Sequence, residues 1–68
     1  MSDLSVVIGQ LIRNARNNKK ISQEKLALIC EIDRSYLGRI ERGEVNLTVE
    51  KLYEISSALE VDAKDLLP

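Results

Sequence analysis

Three arginines fall within nine residues of one short stretch, DRSYLGRIERG at positions 33–43, at 34, 39 and 42. With Arg34 at zero on a helical wheel, Leu37 and Ile40 fall near 300° and 240°, whereas Ser35, Gly38, Arg39 and Arg42 fall between about 40° and 140°. One side of such a helix is aliphatic. The other carries three guanidinium groups, a hydroxyl and a glycine, with Tyr36 on the border. A merely solvated helix mixes Lys with Glu on its outer face, because pairs three or four residues apart stabilise it. Here the basic members of the face have no acidic neighbour on it. Guanidinium forks match phosphate oxygens and the O6/N7 edge of guanine, so the chemistry implied is recognition of a nucleic acid. Gly38 costs about 1 kcal/mol relative to Ala in a helix interior. Because the wheel points Gly38 outward, the expectation is that something approaches the helix backbone closely there. A cation in the first turn opposes the helix dipole, which argues against Arg34 as a merely solvated residue and for a base-reading role. Arg39 is open between a base edge and a phosphate. Tyr36 is open between packing at the core edge and a contact to DNA.

These residues need a scaffold, and a repeated pattern supplies it. Four times an aliphatic residue precedes Ser, Asp or Thr, with Leu four positions beyond that polar residue: Ile21-Ser22 with Leu26, Ile32-Asp33 with Leu37, Leu47-Thr48 with Leu52, and Val61-Asp62 with Leu66. Each reads as a helix N-cap preceded by a hydrophobic staple. Leu4, Ile8, Leu11, Ile12 and Ala15 line one face of an earlier helix over about 5–17. The spacing therefore predicts five helices, near 5–17, 23–30, 34–42, 49–59 and 63–67, with Gly43 ending the third. The predicted core comprises Ile8, Leu11, Ile12, Ala15, Ile21, Leu26, Ala27, Cys30, Ile32, Leu37, Ile40, Leu52, Ile55 and Leu59. Only about three residues separate the second and third helices, the length of a helix-turn-helix connection.

The stretch ISQEKLALICEIDRSYLGRIERGEVNLT resembles the Cro/cI-type (XRE) helix-turn-helix regulators. DRSYLGRIERG with NLT, followed by ALEVDAKDLL, is most similar to the small controller proteins of restriction-modification systems. The resemblance covers about residues 8–67. It implies an all-α, five-helix, lambda-repressor-like domain that acts as a homodimeric transcriptional regulator on a palindromic operator in double-stranded DNA. It implies base contacts from Arg34, Ser35, Tyr36 and Arg39, and phosphate contacts from Ser22, Gln23, Arg42, Asn46 and Thr48. Gln23 opens the second helix, where free N–H groups also favour a phosphate. A structural ion pair between Arg16 and Glu41 is implied as well. This fits the charge pattern, because an acid facing DNA would repel phosphate and is better turned inward. Many family members carry Gly where this chain has Glu31, so a left-handed backbone there would be mildly strained. Lys19 and Lys20 read as ordinary loop lysines.

Composition agrees with one small binding domain over residues 1–68, its helix-turn-helix at about 22–42 and its dimerisation region at about 45–68. The formal net charge is −1. Residues 1–42 hold eight basic against five acidic side chains, +3, whereas residues 43–68 hold two against six, −4. The basic part suits an anionic partner and the acidic part does not. Leu47, Val49, Tyr53 and Leu67 are more apolar surface than one small domain hides, and are expected to form a two-fold interface, with Leu66 assigned to the core. The chain has no histidine and a single cysteine, Cys30, within an apolar run. A metal site, a cofactor, an internal disulfide and an enzyme are therefore not expected. The longest apolar run is five residues and MSDLS lacks the features of a leader, so a cytoplasmic location without membrane contact is expected. RNA polymerase is a further candidate partner, and no small-molecule ligand is indicated. An antitoxin or phage-type repressor, and a protein-interaction module of the same fold without DNA binding, are the competing readings.

Overall fold

The computed structural model describes residues 3–68. Met1 and Ser2, the first two residues of the MSDLS segment read above for leader features, lie outside them. Four α-helices form in order: α1 over Asp3–Asn18, α2 over Gln23–Cys30, α3 over Arg34–Glu41 and α4 over Val49–Leu59. The expected fifth helix is instead a single 3-10 turn over Ala63–Leu66. Its bonds span three residues, as from Asp65 N to the Asp62 carbonyl at 2.9 Å. Leu67 N likewise donates to the Lys64 carbonyl at 3.2 Å, so the tighter three-residue pattern runs through the whole turn.

The turns explain why these helices are so closely spaced. Each α-helix ends in a residue of positive φ: Lys20 at 59°, Glu31 at 58°, Gly43 at 76° and Glu60 at 59°. At each end the next residue's N–H reaches back five positions, from Ile21 to Arg16, Ile32 to Ala27, Glu44 to Arg39 and Val61 to Ser56. This is the Schellman arrangement, and it satisfies carbonyls that the helix end leaves open. Ile21, Ile32 and Val61 thus do two jobs: each follows the left-handed residue of one helix and directly precedes the cap of the next. Three residues, one left-handed, one aliphatic and one capping, suffice to turn the chain.

Ser22 and Thr48 cap α2 and α4, their hydroxyls accepting from Lys25 N and Lys51 N at 3.0 Å. Asp33 and Asp62 occupy the corresponding extended positions, but neither side chain makes a capping bond. Asp33 stays exposed to solvent.

Ile12, Leu26, Ala27, Leu37, Ile40, Leu52, Ile55, Leu59 and Leu66 form the buried core. Ile8, Ala15, Ile21, Cys30 and Ile32, also expected there, pack against it half-buried, and Leu11 is half-buried too. A body of 26 × 23 × 20 Å encloses few positions completely. Burial pushes the Cys30 thiol above its ordinary pKa, with Lys51 opposing and Glu54 reinforcing the shift, so it behaves as a packing residue.

Gly9 is a contact the wheel did not reveal. A Cβ there would lie against the backbone carbonyls of Ile40 and Glu41, the latter oxygen at 2.7 Å. The missing side chain lets α1 touch the end of α3 backbone to backbone. α3 is thereby held between α1 and α2, with its outer face turned to solvent.

Candidate nucleic-acid interface

Along α3, Leu37 and Ile40 point into the core, whereas Arg34, Ser35, Arg39 and Arg42 are exposed. Tyr36 is half-buried and packs against the core, which favours the border position the wheel assigned it. Arg34 makes no hydrogen bond or ion pair among the described residues.

Two features of this face differ from expectation. Gly38 is buried. Its would-be Cβ position lies 3.1 Å from Arg42 Nη1 and 3.8 Å from Gln23 Oε1. The outward wheel position is right, but two long side chains fold over it. A bare backbone at 38 makes room for the Arg42 guanidinium and the Gln23 amide side by side. The arginines also have an acidic neighbour, beyond the helix: Glu44. Its Oε2 accepts from Arg42 Nε at 2.8 Å, and its Oε1 lies 3.4 Å from Arg42 Nη2 and 4.0 Å from Arg39 Nε. The Arg42 hydrogen bond, opposed by desolvation and helped by the charges of Arg42 and Arg39, holds the Glu44 carboxyl below its ordinary pKa. The wheel omitted Glu44 because the residue lies past the helix end and returns only through the turn at Gly43.

Beneath this face lies a buried carboxylate. Glu41 Oε2 accepts from Arg16 Nε at 2.8 Å, while Oε1 accepts from Arg16 Nη2 at 3.1 Å, Gln23 Nε2 at 3.0 Å and Arg13 Nε at 3.3 Å. Arg16 Nη1 also donates to the Ile21 carbonyl at 2.9 Å. Burial alone would raise the Glu41 pKa, but the hydrogen bonds from Arg16 and Gln23, the Arg16 charge and the Arg13 hydrogen bond together outweigh it and lower the value. Arg13 and Gln23 were not anticipated as partners of Glu41. Arg13 lies one turn before Arg16 on α1, whereas Gln23 reaches the carboxylate from the start of α2, a meeting that spacing along one helix does not show.

Gln23 is therefore held at the start of α2 with one amide hydrogen committed to Glu41 and a second remaining. Ser22 and Thr48 accept from backbone N–H groups as caps, which leaves each hydroxyl proton available to donate. Asn46 Oδ1 accepts from Ser5 Oγ at 3.1 Å, tying the loop before α4 to α1.

Away from α3, Val49 is 73% exposed, Tyr53 60% and Leu67 45%, while Leu47 is half-buried against the core. An open groove of about 1220 Å³ runs between α2 and α4, with Ile29, Val49 and Tyr53 on its apolar walls and Glu31, Glu50, Glu54 and Glu60 also lining it. Ile29, 45% exposed, extends the apolar surface onto α2, outside the C-terminal third in which that surface is expected from the sequence. No group of three or more His, Cys, Asp or Glu among the described residues is placed to hold a metal. Among the described residues, no helix is long and apolar enough to cross a membrane.

A short three-residue turn joining α2 to an arginine-bearing α3 defines a helix-turn-helix protein, and residues 12–66 match the helix-turn-helix family HTH_3. The chain belongs to this XRE-type helix-turn-helix family. It is 42% identical over 67 residues to the control protein C.BamHI of Bacillus amyloliquefaciens, covering 97% of this chain and 83% of that one. It is 35% identical over 65 residues to the control protein C.SmaI of Serratia marcescens, covering 96% and 77%. Among solved structures, the restriction-modification controller protein C.AhdI from Aeromonas hydrophila superposes with a TM-score of 0.87 at 37% identity, covering 91% of this chain and 94% of that one.

Proposed function

We propose that this chain is a DNA-binding transcriptional regulator of the restriction-modification controller type, acting as a homodimer on an inverted-repeat operator. The observation that carries the reading is the pairing of Arg34 and Arg39 on the open face of α3, in a chain whose relatives are named control proteins. Arg34, unpaired and at the leading end of α3, reads a base edge. Ser35 and Arg39 reach the same groove, with Tyr36 at its edge. Gln23, Arg42, Ser22, Asn46 and Thr48 engage phosphates and fix the register of α3 on the duplex. Regulation then follows from where the dimer sits relative to RNA polymerase.

Val49, Tyr53, Leu47 and Leu67, joined by Ile29, cover one another across a two-fold axis. That arrangement sets two copies of α3 about 34 Å apart, one turn of DNA. It also accounts for the acidic C-terminal third, which faces the partner protomer and not the phosphates.

The test is titration of a duplex of about 20 base pairs of random sequence at about 50 and 200 mM salt, with stoichiometry measured on the duplex that wild type enriches from a random library. A steep loss of affinity with salt and two protomers per enriched duplex are expected. A flat salt response, or one protomer per duplex, contradicts the reading.

A further inference from the structure

We propose that Gly38 holds open a seat for one DNA phosphate, shared by the Arg42 guanidinium and the Gln23 amide, and that α3 gives up stability for it. The proposal rests on the DNA-binding reading. It goes beyond that reading by joining two residues of different helices into one contact, and by giving a residue without a side chain a positioning role in affinity.

The chain has three glycines, and backbone requires two of them. At Gly9 a Cβ would meet the carbonyls of Ile40 and Glu41, and at Gly43 the φ of 76° and the Val6 backbone both oppose a side chain. Gly38 has neither reason. It lies inside α3 without a positive φ, and the atoms nearest its would-be Cβ belong to side chains, Arg42 Nη1 at 3.1 Å and Gln23 Oε1 at 3.8 Å. Arg42 is 52% exposed, so its far end can shift to admit a methyl. Alanine at 38 would also favour the helix. Folding therefore does not call for glycine here, whereas the placement of the two side chains over it does.

Both side chains are held from their outer ends. Gln23 Nε2 donates to the buried Glu41 Oε1 at 3.0 Å. Because a carboxylate only accepts, this sets the amide with its nitrogen toward Glu41 and its oxygen toward Gly38, and keeps a second N–H to donate. Arg42 turns Nε and Nη2 to Glu44, at 2.8 and 3.4 Å, which leaves Nη1 over Gly38. Amide and guanidinium thus reach within 4 Å of one point above the helix backbone. Side by side they offer a phosphate two sets of N–H donors for its acceptor oxygens. The Glu41 charge beneath is offset by Arg16 and Arg13. A methyl at 38 fills the point on which the two converge, lifts Nη1 and parts the donors. Phosphates are alike on every sequence, so the seat adds affinity and no sequence preference.

The experiment measures the thermal midpoint and the affinity for two duplexes of about 20 base pairs, one of random sequence and one that wild type enriches. The proteins are wild type, Gly38→Ala, Arg42→Ala, Gln23→Ala, and Arg42→Ala combined with each of the other two changes. Gly38→Ala is expected to raise the midpoint by about 2–6 °C and to weaken both duplexes alike, by about threefold or more. In the Arg42→Ala background it still raises the midpoint but alters affinity less than about 1.5-fold. Gln23→Ala and Arg42→Ala together are expected to lose less than the product of their separate losses, because either change breaks the shared contact. A lowered midpoint or unaltered binding in Gly38→Ala overturns the proposal. So does a loss that persists without Arg42, which would set the methyl against DNA itself, or a loss confined to the enriched duplex. Fully multiplicative losses for Gln23 and Arg42 would assign them separate phosphates and overturn the shared seat. A wild type that binds neither duplex overturns the DNA-binding reading itself, whereas the other contrary results leave that reading standing and remove only the role of Gly38.

Discussion

Arg16 grips Glu41 at two points, Nε to Oε2 at 2.8 Å and Nη2 to Oε1 at 3.1 Å, and the Glu41 side chain is wholly excluded from water. The contact clamps α1 to the C-terminal end of α3, and Gln23 adds the start of α2. The helix that bears the arginines is thus oriented by a polar joint as well as by Leu37 and Ile40. Truncating one partner leaves the other charge buried without compensation, so Glu41→Ala is expected to cost about 3–5 kcal/mol, and Arg16→Ala to act in the same direction. Urea unfolding monitored by circular dichroism measures both. A loss well under 1 kcal/mol for Glu41→Ala would remove this joint from the account.

Acid should undo the same joint. The folded-state pKa of Glu41 is depressed, so its contribution is fully present above the unfolded value near 4.5 and is lost as pH falls through the folded value. Stability is therefore expected to hold from neutrality down to about pH 5 and to decline below it. Glu41→Gln starts lower and declines less steeply over that acidic window. Parallel slopes for the two proteins would place the acid sensitivity elsewhere.

Gly9 offers a purely steric test. Adding one methyl there drives it into the carbonyls of Ile40 and Glu41, which are backbone and cannot swing aside. Gly9→Ala is expected to cost about 1–3 kcal/mol or more and to lower the thermal midpoint, although Ala favours helix. An unchanged midpoint would show that α1 and α3 stand further apart.

The helix ends can be improved as well as broken. Glu31 and Glu60 sit at φ 58° and 59°, a region that costs a residue with a Cβ about 1–2 kcal/mol. Glu31→Gly and Glu60→Gly are each expected to add about 0.5–1 kcal/mol after the entropy of glycine in the unfolded chain is subtracted. Because each change sits in its own turn, the double variant should come close to their sum. Destabilisation by either change would show that the carboxylates have partners the turn geometry does not reveal.

Much of this was legible because it is local. The recurrence of an aliphatic residue, a cap and a Leu marked the starts of α2, α3 and α4 within a residue, and Gly43 marked an end. The left-handed residues Lys20 and Glu60 were not legible, since neither is glycine and only the return bonds of Ile21 and Val61 reveal them. Features that depend on two helices meeting were also hidden. The apolar spacing of α1 says nothing of Gly9, whose role exists only where the carbonyls of Ile40 and Glu41 lie on it. Gly38 was placed on the correct side, but its cover of Arg42 and Gln23 depends on a side chain from α2 that no single wheel contains. Glu44 escaped for a similar reason: its pairing with Arg42 and Arg39 exists only because the chain reverses at Gly43. The 3-10 turn at Ala63–Leu66 carried the same helix-start pattern, but its Asp62 side chain makes no capping bond.

Opposite responses to salt would separate the two faces. DNA binding by the α3 arginines weakens with salt through counterion release. The groove between α2 and α4 has apolar walls and four glutamates, so bringing two copies together there opposes like charges that salt screens. Self-association followed by sedimentation equilibrium without DNA is expected to strengthen between about 50 and 500 mM salt. Weakening over that range would mean that the protomers meet through ion pairs on another surface.

The most direct test of a dimeric reader with Arg34 at a base edge is selection of bound duplexes from a random DNA library, run in parallel for wild type and Arg34→Ala. Wild type is expected to enrich an inverted repeat with half-sites about one helical turn apart. Arg34→Ala should bind that repeat about 1–3 kcal/mol more weakly and lose preference at one base pair per half-site. A loss of affinity spread evenly over all sequences would make Arg34 a phosphate contact, and no enrichment by a folded, dimeric wild type would contradict sequence-specific binding altogether.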